Sequence, residues 1–524
     1  MAPGEAVVVP SHGWPVAVTA GDGCEEEGYD MDRMSPLDAM FLHIEDGVTH
    51  MHIASCAIFE GPAPAYADLL ELFRSKLQFV PRYRQKVRFT PGGIGRPTWV
   101  DDPHFRLDYH VRHTALPPPG DDAALRNLMG RLMSQQLDRN RPLWETWMVE
   151  GLASGEWALI SKVHHCMVDG ISGTDMMAVL LDVSREPAPT AADDWKPNAE
   201  PTDTDLVRAA IAETLASPNE IARWVRASTR TPKKMMASAN EVARGALALG
   251  RRLTPNTPMS IEGTIGPHRR WAWARTTISD VKAVRVAFGG TVNDVVLCAV
   301  TKGFRELLVS RGEQLDGQVV RTLVPVSVRG SGDHSYNNQV SAMIAELPVG
   351  IADPLERLAS IHEQMAGLKE SHQAVAGSAL VELAGFAPPV LLSLGLRNAM
   401  SVMRRTAQRS VNTVTTNVPG PQIPLYACGR EMRDYFPFVP LSQGVRTGVA
   451  IMSYNGKVTF GVTGDWDSVP DLEVLSTGIE AGMRELLDLA TQNAVEPKPT
   501  VKRKRTRTPA STSTPRRGSR RSVR

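Results

Sequence analysis

Apolar and polar positions along the chain follow two periods, one typical of strands and one typical of helices. The segment HMHIASCAIFEG alternates as a strand does, and YADLLELFRSKL places Leu69, Leu72 and Phe73 on one helical face. The segment WETWMVEGLASGEWALISKVHH has the pattern of two strands joined by a Gly/Ser turn. Because strands and helices mix without a regular strand–helix–strand alternation, the pattern predicts an α+β fold.

Local signals mark where several of these elements begin or turn. Ser35 and Pro36 of MSPLDAMFLHIED occupy the N-cap and first helical positions of a predicted helix. A second helix is predicted over NDVVLCAVTKGFRELLVSRG, and a closing one over DLEVLSTGIEAGMRELLDLA. In the hairpin GVAIMSYNGKVTFGVTGDW, Asn455 and Gly456 fit the two central positions of a type I′ turn.

Changes in composition divide the chain into five predicted ranges. A chain of 524 residues is too long for one hydrophobic core, which predicts two folded halves. Residues 1–30 form a predicted flexible extension, 31–185 a first half, 186–262 a linker and helical crossover, 263–490 a second half, and 491–524 a disordered basic tail.

The net charge of +1 hides a strong asymmetry. Residues 498–524 carry 11 Lys/Arg and no acid, so the remainder has 47 basic and 57 acidic residues, a net charge of about −10. This balance does not predict a specific nucleic-acid surface. A solvated crossover is the preferred interpretation of the basic helical linker, and adsorption to an anionic membrane or lipid-droplet surface is the alternative. The basic tail is compatible with contact to anionic lipid or to nucleic acid.

The cysteines and the distribution of apolar residues favour a cytoplasmic protein. Cys24, Cys56, Cys166, Cys298 and Cys428 are dispersed, without a CxxC pair, which argues against a disulfide framework or a structural zinc site. The first 30 residues lack the basic start of a signal peptide, and no run of about 18 apolar residues predicts a membrane span. Any membrane association is therefore expected to be peripheral.

The segment SKVHHCMVDGISG carries the strongest candidate chemistry. His164 and His165 lie where a predicted strand runs into a loop. Packed core histidines are one interpretation. A metal site is a second, but it would require further ligands; His165 and Asp169 would face together only in a helix, and no second Cys/His cluster exists. No metal is therefore predicted.

General-base catalysis is the third interpretation of this segment. Strand alternation puts His164 and His165 on opposite faces, so that one can face a cleft while the other anchors the strand. A neutral imidazole can take a proton from a hydroxyl near neutral pH. Asp169 would orient an imidazole or pair with a distant arginine, and Gly170 permits a sharp turn. Cys166 fits a small core residue better than a nucleophile, because no local cationic cluster would ionise its thiol.

The chain resembles the bacterial wax ester synthase/diacylglycerol acyltransferases, which belong to the CoA-dependent acyltransferase superfamily. HHCMVDG is similar to the HHxxxDG signature of that superfamily. Eight further segments occur in the family's order over about residues 31–490: MSPLDAMFL, RPLW, IGPHRRWA, VNDVVL, PVSVR, YNNQVS, TNVPGP and MSYNGKVTFGVTGD.

The resemblance implies a fold and a base. It implies two halves that each resemble chloramphenicol acetyltransferase, joined by a helical crossover, with a substrate tunnel between them. It implies that His165 is the general base and His164 its neighbour in the motif. Asp169 would be mainly structural, with Arg329 of PVSVR as its partner. Gly170 follows Asp169 and completes the motif.

Further site residues follow from the same resemblance. Pro142, Leu143 and Trp144 match the family's PLW segment and are expected to line or shape the acceptor side, although a strand start with a buried indole explains them equally. Asn293 and Asp294 match a segment that the family retains near its site. Asn293 is equally well explained as the N-cap of the following helix.

The function implied is transfer of a long-chain acyl group from acyl-CoA to diacylglycerol, to a long-chain alcohol, or to both. Acyl-CoA would be a substrate, and no cofactor is expected. Two alternatives stay open. One is condensation-type transfer from a carrier-protein thioester, although no carrier domain is evident; the other is a catalytically inactive protein that binds a lipid surface. The oligomeric state cannot be predicted from these patterns.

Overall fold

A computed structural model describes residues 32–93, 95–167, 179–186, 193–216, 258–327, 340–370 and 411–495. Sixteen strands occur in these residues, most of them in two large sheets. In chain order the strands are β1 (His52–Phe59), β2 (Gln85–Arg88), β3 (Thr98–Asp101), β4 (Val111–Ala115), β5 (Trp144–Glu150), β6 (Trp157–His164), β7 (Glu262–Gly263), β8 (Arg269–Thr277), β9 (Val320–Ser327), β10 (Val340–Leu347), β11 (Thr413–Pro419), β12 (Tyr426–Ala427), β13 (Arg430–Phe438), β14 (Gly444–Val445), β15 (Thr447–Tyr454) and β16 (Lys457–Asp465).

Nine α-helices lie between or after these strands within the described ranges. They are α1 (Pro36–Ile44), α2 (Tyr66–Lys76), α3 (Leu107–His110), α4 (Asp122–Met133), α5 (Asp203–Ala216), α6 (Ile278–Phe288), α7 (Val292–Ser310), α8 (Pro354–Glu370) and α9 (Leu472–Val495). The mixture of helices and strands confirms the α+β prediction.

The first sheet has the strand order β12-β13-β1-β6-β5-β4. All neighbouring pairs are antiparallel except β4 and β5, which are parallel. The second sheet has the order β10-β9-β11-β15-β16-β8, in which β11 runs parallel to both of its neighbours. The second sheet is built entirely from strands of the predicted second half, whereas the first sheet combines four strands of the predicted first half with β12 and β13.

Two strands of the predicted second half, β12 and β13, belong to the first sheet. The predicted boundaries placed residues 263–490 in the second half, yet β13 pairs with β1 of the first half. The partner of a strand depends on long-range pairing, which local sequence patterns do not encode. The domain limits stay predictions, because the crossover beyond Ala216 and most of the basic tail lie outside the described residues.

A shared apolar cluster and one close contact hold the two sheets together. Ile160 of β6, Trp273 of β8 and Phe436 of β13 belong to one buried cluster. At Gly461 of β16, an added Cβ would lie 1.6 Å from the Pro437 carbonyl oxygen of β13. Only glycine permits this approach of the two backbones. The halves therefore pack against each other directly.

Several predicted element ends are confirmed. Ser35 caps α1 by accepting a hydrogen bond from the Asp38 N–H (3.1 Å), with Pro36 in the first turn. Asn455 and Gly456 both have positive φ (43° and 82°), as a type I′ turn requires. The closing helix α9 extends to Val495, so the predicted disordered tail from residue 491 begins too early.

Within the described ranges, no single helix is long and apolar enough to cross a bilayer. Helices α6 and α7 together reach the required length and composition, but they meet at 101°, and most of α7 is buried in the second half's core.

Candidate active site

The two histidines lie at the C-terminal end of a strand, β6, as the strand pattern predicts. In the sheet, β6 lies between β1 and β5. His164 is the last residue of β6, and His165 begins a short 3₁₀ turn that ends at Met167. The His164 N–H donates to the Leu143 carbonyl (2.9 Å), and the His165 N–H donates to the Met51 carbonyl (2.8 Å). The backbone of the motif is therefore fixed by both neighbouring segments.

The His165 ring is only partly buried and stacks on Phe41 of α1, with ring centroids 3.9 Å apart and 22° between planes. Its Nδ1 atom is enclosed and has no hydrogen-bond partner among the described residues. Burial, with a smaller contribution from His164, lowers the pKa of His165 to about 4. The imidazole is therefore neutral near pH 7, which is the form that accepts a proton.

His164 packs inward at 1% exposure. Its Nδ1 accepts a hydrogen bond from the Cys166 N–H (3.1 Å), and its Nε2 lies 3.5 Å from Glu45 Oε2. The other oxygen of Glu45 lies 3.1 Å from His52 Nε2. Although burial raises the pKa of Glu45, its contacts with His164 and His52 outweigh that effect and hold the pKa below its usual range. His164 is thus the buried imidazole of the pair and His165 the partly exposed one. Both rings contact α1, so the opposite faces expected from strand alternation stay a prediction.

Cys166 is a buried residue of the first half's core, as predicted. Burial, together with the negative charges of Asp38 and Glu45, raises the pKa of its thiol well above the usual value. A thiol in this state is a poor nucleophile.

The Pro142–Trp144 segment adjoins the histidines at the start of β5. Leu143 contributes the carbonyl that receives the His164 N–H. The Trp144 indole is 1% exposed, donates from Nε1 to the Tyr83 carbonyl (2.8 Å) and stacks on His110 with centroids 4.7 Å apart. These contacts are those of a strand start with a buried indole, and an acceptor-side role for the segment stays a prediction.

Asn293 and Asp294 lie in the first turn of α7, but Asn293 is not its N-cap. The cap is Thr291, whose hydroxyl accepts from the Asp294 N–H (3.2 Å) while the Asp294 carboxylate accepts from the Thr291 N–H (2.8 Å). This capping box starts the helix two residues earlier than an Asn293 cap would. The Asn293 side chain instead accepts from Asn417 Nδ2 (3.2 Å), and Asp294 Oδ2 lies 2.8 Å from His362 Nδ1.

The structure thus brings together the VNDVVL and TNVPGP segments in the second half, and the histidines and PLW in the first. Asp169, Gly170 and Arg329 lie outside the described residues, so the roles expected of them stay predictions. Within the described part of the chain, no group of three or more His, Cys, Asp and Glu side chains has a geometry that could hold a metal ion.

Sequence reasoning missed the residues that hold the two histidines from α1 and β1. Phe41 and Glu45 are four residues apart and contact His165 and His164, respectively. His52 lies directly across the sheet from His164. The spacing of four residues between Phe41 and Glu45 was a usable signal that they share one helix face. Only the folded structure shows that this face contacts the two histidines.

Two domain descriptions match this chain. The wax ester synthase/diacylglycerol acyltransferase catalytic domain matches residues 34–296, and the WS/DGAT C-terminal domain matches residues 336–487. The chain belongs to the wax ester synthase/diacylglycerol acyltransferase family. The resemblance seen in the HHxxxDG motif and the eight further segments is thereby confirmed.

Relatives and solved structures agree with this family. A Mycobacterium tuberculosis (strain ATCC 25618 / H37Rv) protein named "Probable diacyglycerol O-acyltransferase tgs1" is 36% identical over 469 residues, 89% of this chain and 98% of the relative. The wax ester synthase/diacylglycerol acyltransferase from Marinobacter aquaeolei VT8 is 26% identical, with a TM-score of 0.62, and covers 88% of this chain and 100% of its own. The first condensation domain of the calcium-dependent antibiotic synthetase matches at 17% identity with a TM-score of 0.53, covering 88% and 97%, which shows a common fold alone.

Proposed function

We propose that this protein is an acyl-CoA-dependent O-acyltransferase in which His165 is the general base. Family membership supports the reaction class. The observation that carries the residue assignment is the state of His165: a neutral, partly exposed imidazole, fixed by a backbone hydrogen bond and by the ring of Phe41. Because Nδ1 is enclosed, we assign proton acceptance to Nε2.

The proposed reaction proceeds in a ternary complex of protein, acyl-CoA and alcohol. His165 removes the hydroxyl proton while the alcohol oxygen forms a bond to the thioester carbonyl carbon. The tetrahedral species then collapses, the carbon–sulfur bond breaks, and the imidazolium returns its proton to the CoA thiolate. One well-placed base typically contributes about 10²–10⁴-fold in rate. No covalent acyl-enzyme is required, which agrees with the buried thiol of Cys166.

Diacylglycerol is the acceptor that we propose first, because the tgs1 relative is named as a diacylglycerol acyltransferase. A long-chain alcohol is the second candidate, because the Marinobacter relative is also named as a wax ester synthase. Purified protein with labelled palmitoyl-CoA and equal concentrations of diacylglycerol and hexadecanol tests the choice. Label mainly in triacylglycerol supports the proposal; label mainly in wax ester reverses the order of acceptors.

Transfer from a carrier-protein thioester is the alternative reaction, and the fold shared with condensation domains does not by itself decide between the two donors. Assays that replace palmitoyl-CoA with palmitoyl carrier protein compare the two donors directly. Faster transfer from the carrier protein would contradict the proposed use of acyl-CoA.

We also propose that the protein works peripherally on an anionic membrane or lipid-droplet surface on the cytoplasmic side. Lipid acceptors and the 11 Lys/Arg between residues 498 and 524 support this location. The full chain should float with vesicles that contain anionic lipid, and a chain that lacks residues 498–524 should float less. If both stay unbound, the location is wrong.

A further inference from the structure

Helix α1 contacts both histidines of the motif from one face. Phe41 and Glu45 are separated by four residues and therefore lie one above the other on the helix. Phe41 stacks on the His165 ring, and the Glu45 carboxylate at the C-terminal end of α1 faces the His164 ring. A single helix thus determines where both imidazoles lie.

The Glu45 carboxylate is enclosed, with its side chain only 2% exposed. Its Oε2 accepts from Nε (3.1 Å) and from a terminal nitrogen (2.5 Å) of Arg139 and lies 3.5 Å from His164 Nε2. Its Oε1 lies 3.1 Å from His52 Nε2. A buried carboxylate is tolerated only where such partners compensate its lost hydration. Arg139 supplies the opposite charge, while the two imidazoles face the carboxylate from the sheet.

The hydrogen bond from Cys166 determines the tautomer of His164. Because the Cys166 N–H donates to His164 Nδ1, that nitrogen carries no proton when the ring is neutral. The proton is therefore on Nε2, which lies 3.5 Å from Glu45 Oε2, a separation longer than an ordinary hydrogen bond. The Cys166 amide is also the first peptide group after His165. A continuous series of contacts thus runs from the Glu45 carboxylate through His164 to the turn that carries the proposed base.

We propose that Glu45 is a positioning residue, which acts through His164 to hold the turn that presents His165 to substrate. The inference rests on the proposed function of His165. Glu45 touches neither His165 nor a reacting atom in this arrangement. Its effect is to keep His164 as the Nε2–H tautomer, so that Nδ1 can receive the Cys166 amide and fix the backbone on the far side of His165.

The alternative is that Glu45 only joins α1 to Arg139. Arg139 also donates to the Leu42 carbonyl (3.1 Å), so this pair could serve the fold alone. The Arg139→Gln variant removes that ion pair and leaves Glu45 facing His164. It is the matched control, because a purely structural role predicts the same consequences for variants of either partner.

The test compares Glu45→Ala, Glu45→Gln and Arg139→Gln in the full chain, with folding checked by circular dichroism and thermal melting. A displacement of about 1 Å in catalytic geometry can cost about 10²-fold in rate. We expect Glu45→Ala to lower kcat by about 10- to 100-fold while the KM for palmitoyl-CoA changes less than about threefold. Glu45→Gln keeps an oxygen that can accept from His164 Nε2, so it should recover most of kcat. Arg139→Gln should lower the melting temperature, because the carboxylate loses its opposite charge, but should keep kcat within about threefold of the parent, because Glu45 still faces His164.

Three kinetic outcomes would overturn the proposal: a folded Glu45→Ala with parental kcat, an equal loss in Arg139→Gln, or a loss in Glu45→Gln as large as in Glu45→Ala. If the alanine variant does not fold, ¹⁵N NMR of histidine-labelled parent protein still decides. The proposal requires an Nε2-protonated His164; an Nδ1-protonated ring would contradict it. Failure of the proposed function is distinguishable, because the parent would then lack acyl transfer altogether, or His165→Ala would retain it.

Discussion

Trp144 and Trp157 form a matched pair that isolates the contribution of one buried hydrogen bond. Both indoles are fully buried in the core of the first half, on the adjacent strands β5 and β6. Trp144 Nε1 donates to the Tyr83 carbonyl (2.8 Å), whereas Trp157 Nε1 is buried without a partner in the described part of the chain. Replacement of either indole by phenylalanine removes a similar volume. The Trp144 replacement also removes a hydrogen bond, whereas the Trp157 replacement removes a buried N–H that has no partner in the described part of the chain.

The expected magnitudes differ for this reason. Removal of the larger ring should cost about 1–2 kcal/mol at either position, since complete truncation of a buried aromatic residue costs about 3–5 kcal/mol. Trp144→Phe also loses the bond to Tyr83, which adds about 1–2 kcal/mol. Trp157→Phe removes an unsatisfied N–H, which offsets about 1 kcal/mol or more. Trp144→Phe should therefore lower the free energy of unfolding by about 2–3 kcal/mol more than Trp157→Phe does.

Urea denaturation followed by far-ultraviolet circular dichroism measures this difference without relying on tryptophan fluorescence. The KM for the acyl acceptor, measured on the same variants, tests the acceptor-side role expected of Trp144. Equal losses of stability, or a larger loss in Trp157→Phe, would refute the hydrogen-bond reasoning. An unchanged acceptor KM in Trp144→Phe would leave the indole with a structural role only.

Three further predictions concern acid stability, the thiol and backbone conformation. The pKa values of His110 and His165 in the folded protein are lowered to about 4, so the unfolded chain takes up protons first as pH falls, and stability is lost between about pH 6.5 and pH 4. Urea denaturation should show a loss of roughly 2 kcal/mol per histidine between pH 7 and pH 5. Equal stability at the two pH values would contradict this prediction. Cys166→Ala should retain acyl transfer within about threefold, and mass spectrometry should find no acylated parent protein during turnover; an acyl adduct on the thiol would indicate a covalent route. Gly456 has a φ of 82°, so Gly456→Ala should destabilise the protein by about 1 kcal/mol. Gly367 lies in α8 where an added Cβ would meet no other atom within 4 Å, so Gly367→Ala should be neutral or stabilising. Equal shifts of the melting temperature in the two variants would contradict the turn assignment.

Local signals were sufficient to predict elements whose determinants are close in sequence. Ser35 and Pro36 start α1, Asn455 and Gly456 turn the last hairpin, and His164 ends a strand, all as predicted. Each of these features depends on a few adjacent residues and their backbone preferences. The mixture of strand and helix patterns predicted the α+β fold. The family resemblance added the expectation of two chloramphenicol-acetyltransferase-like halves, because its segments are distributed along almost the whole chain.

Features that depend on long-range pairing could not be predicted in this way. The segment Arg430–Phe438 joins the first sheet because it pairs with β1, a partner that no local pattern specifies. The contact between Glu45 and His164 likewise exists only once α1 packs beside the end of β6. The cap of α7 is a different case. Thr291 and Asp294 have the three-residue spacing of a capping box, so this start could have been read from the sequence.

The most direct test of the account is a comparison of the purified parent protein with His165→Ala, with His164→Ala as a second variant. Each receives labelled palmitoyl-CoA and diacylglycerol under single-turnover conditions, after its folding has been verified. His165→Ala should lower the rate of triacylglycerol formation by about 10²–10⁴-fold without a change in thermal stability large enough to explain it. Parental turnover by a folded His165→Ala would contradict the assignment of His165 as the base.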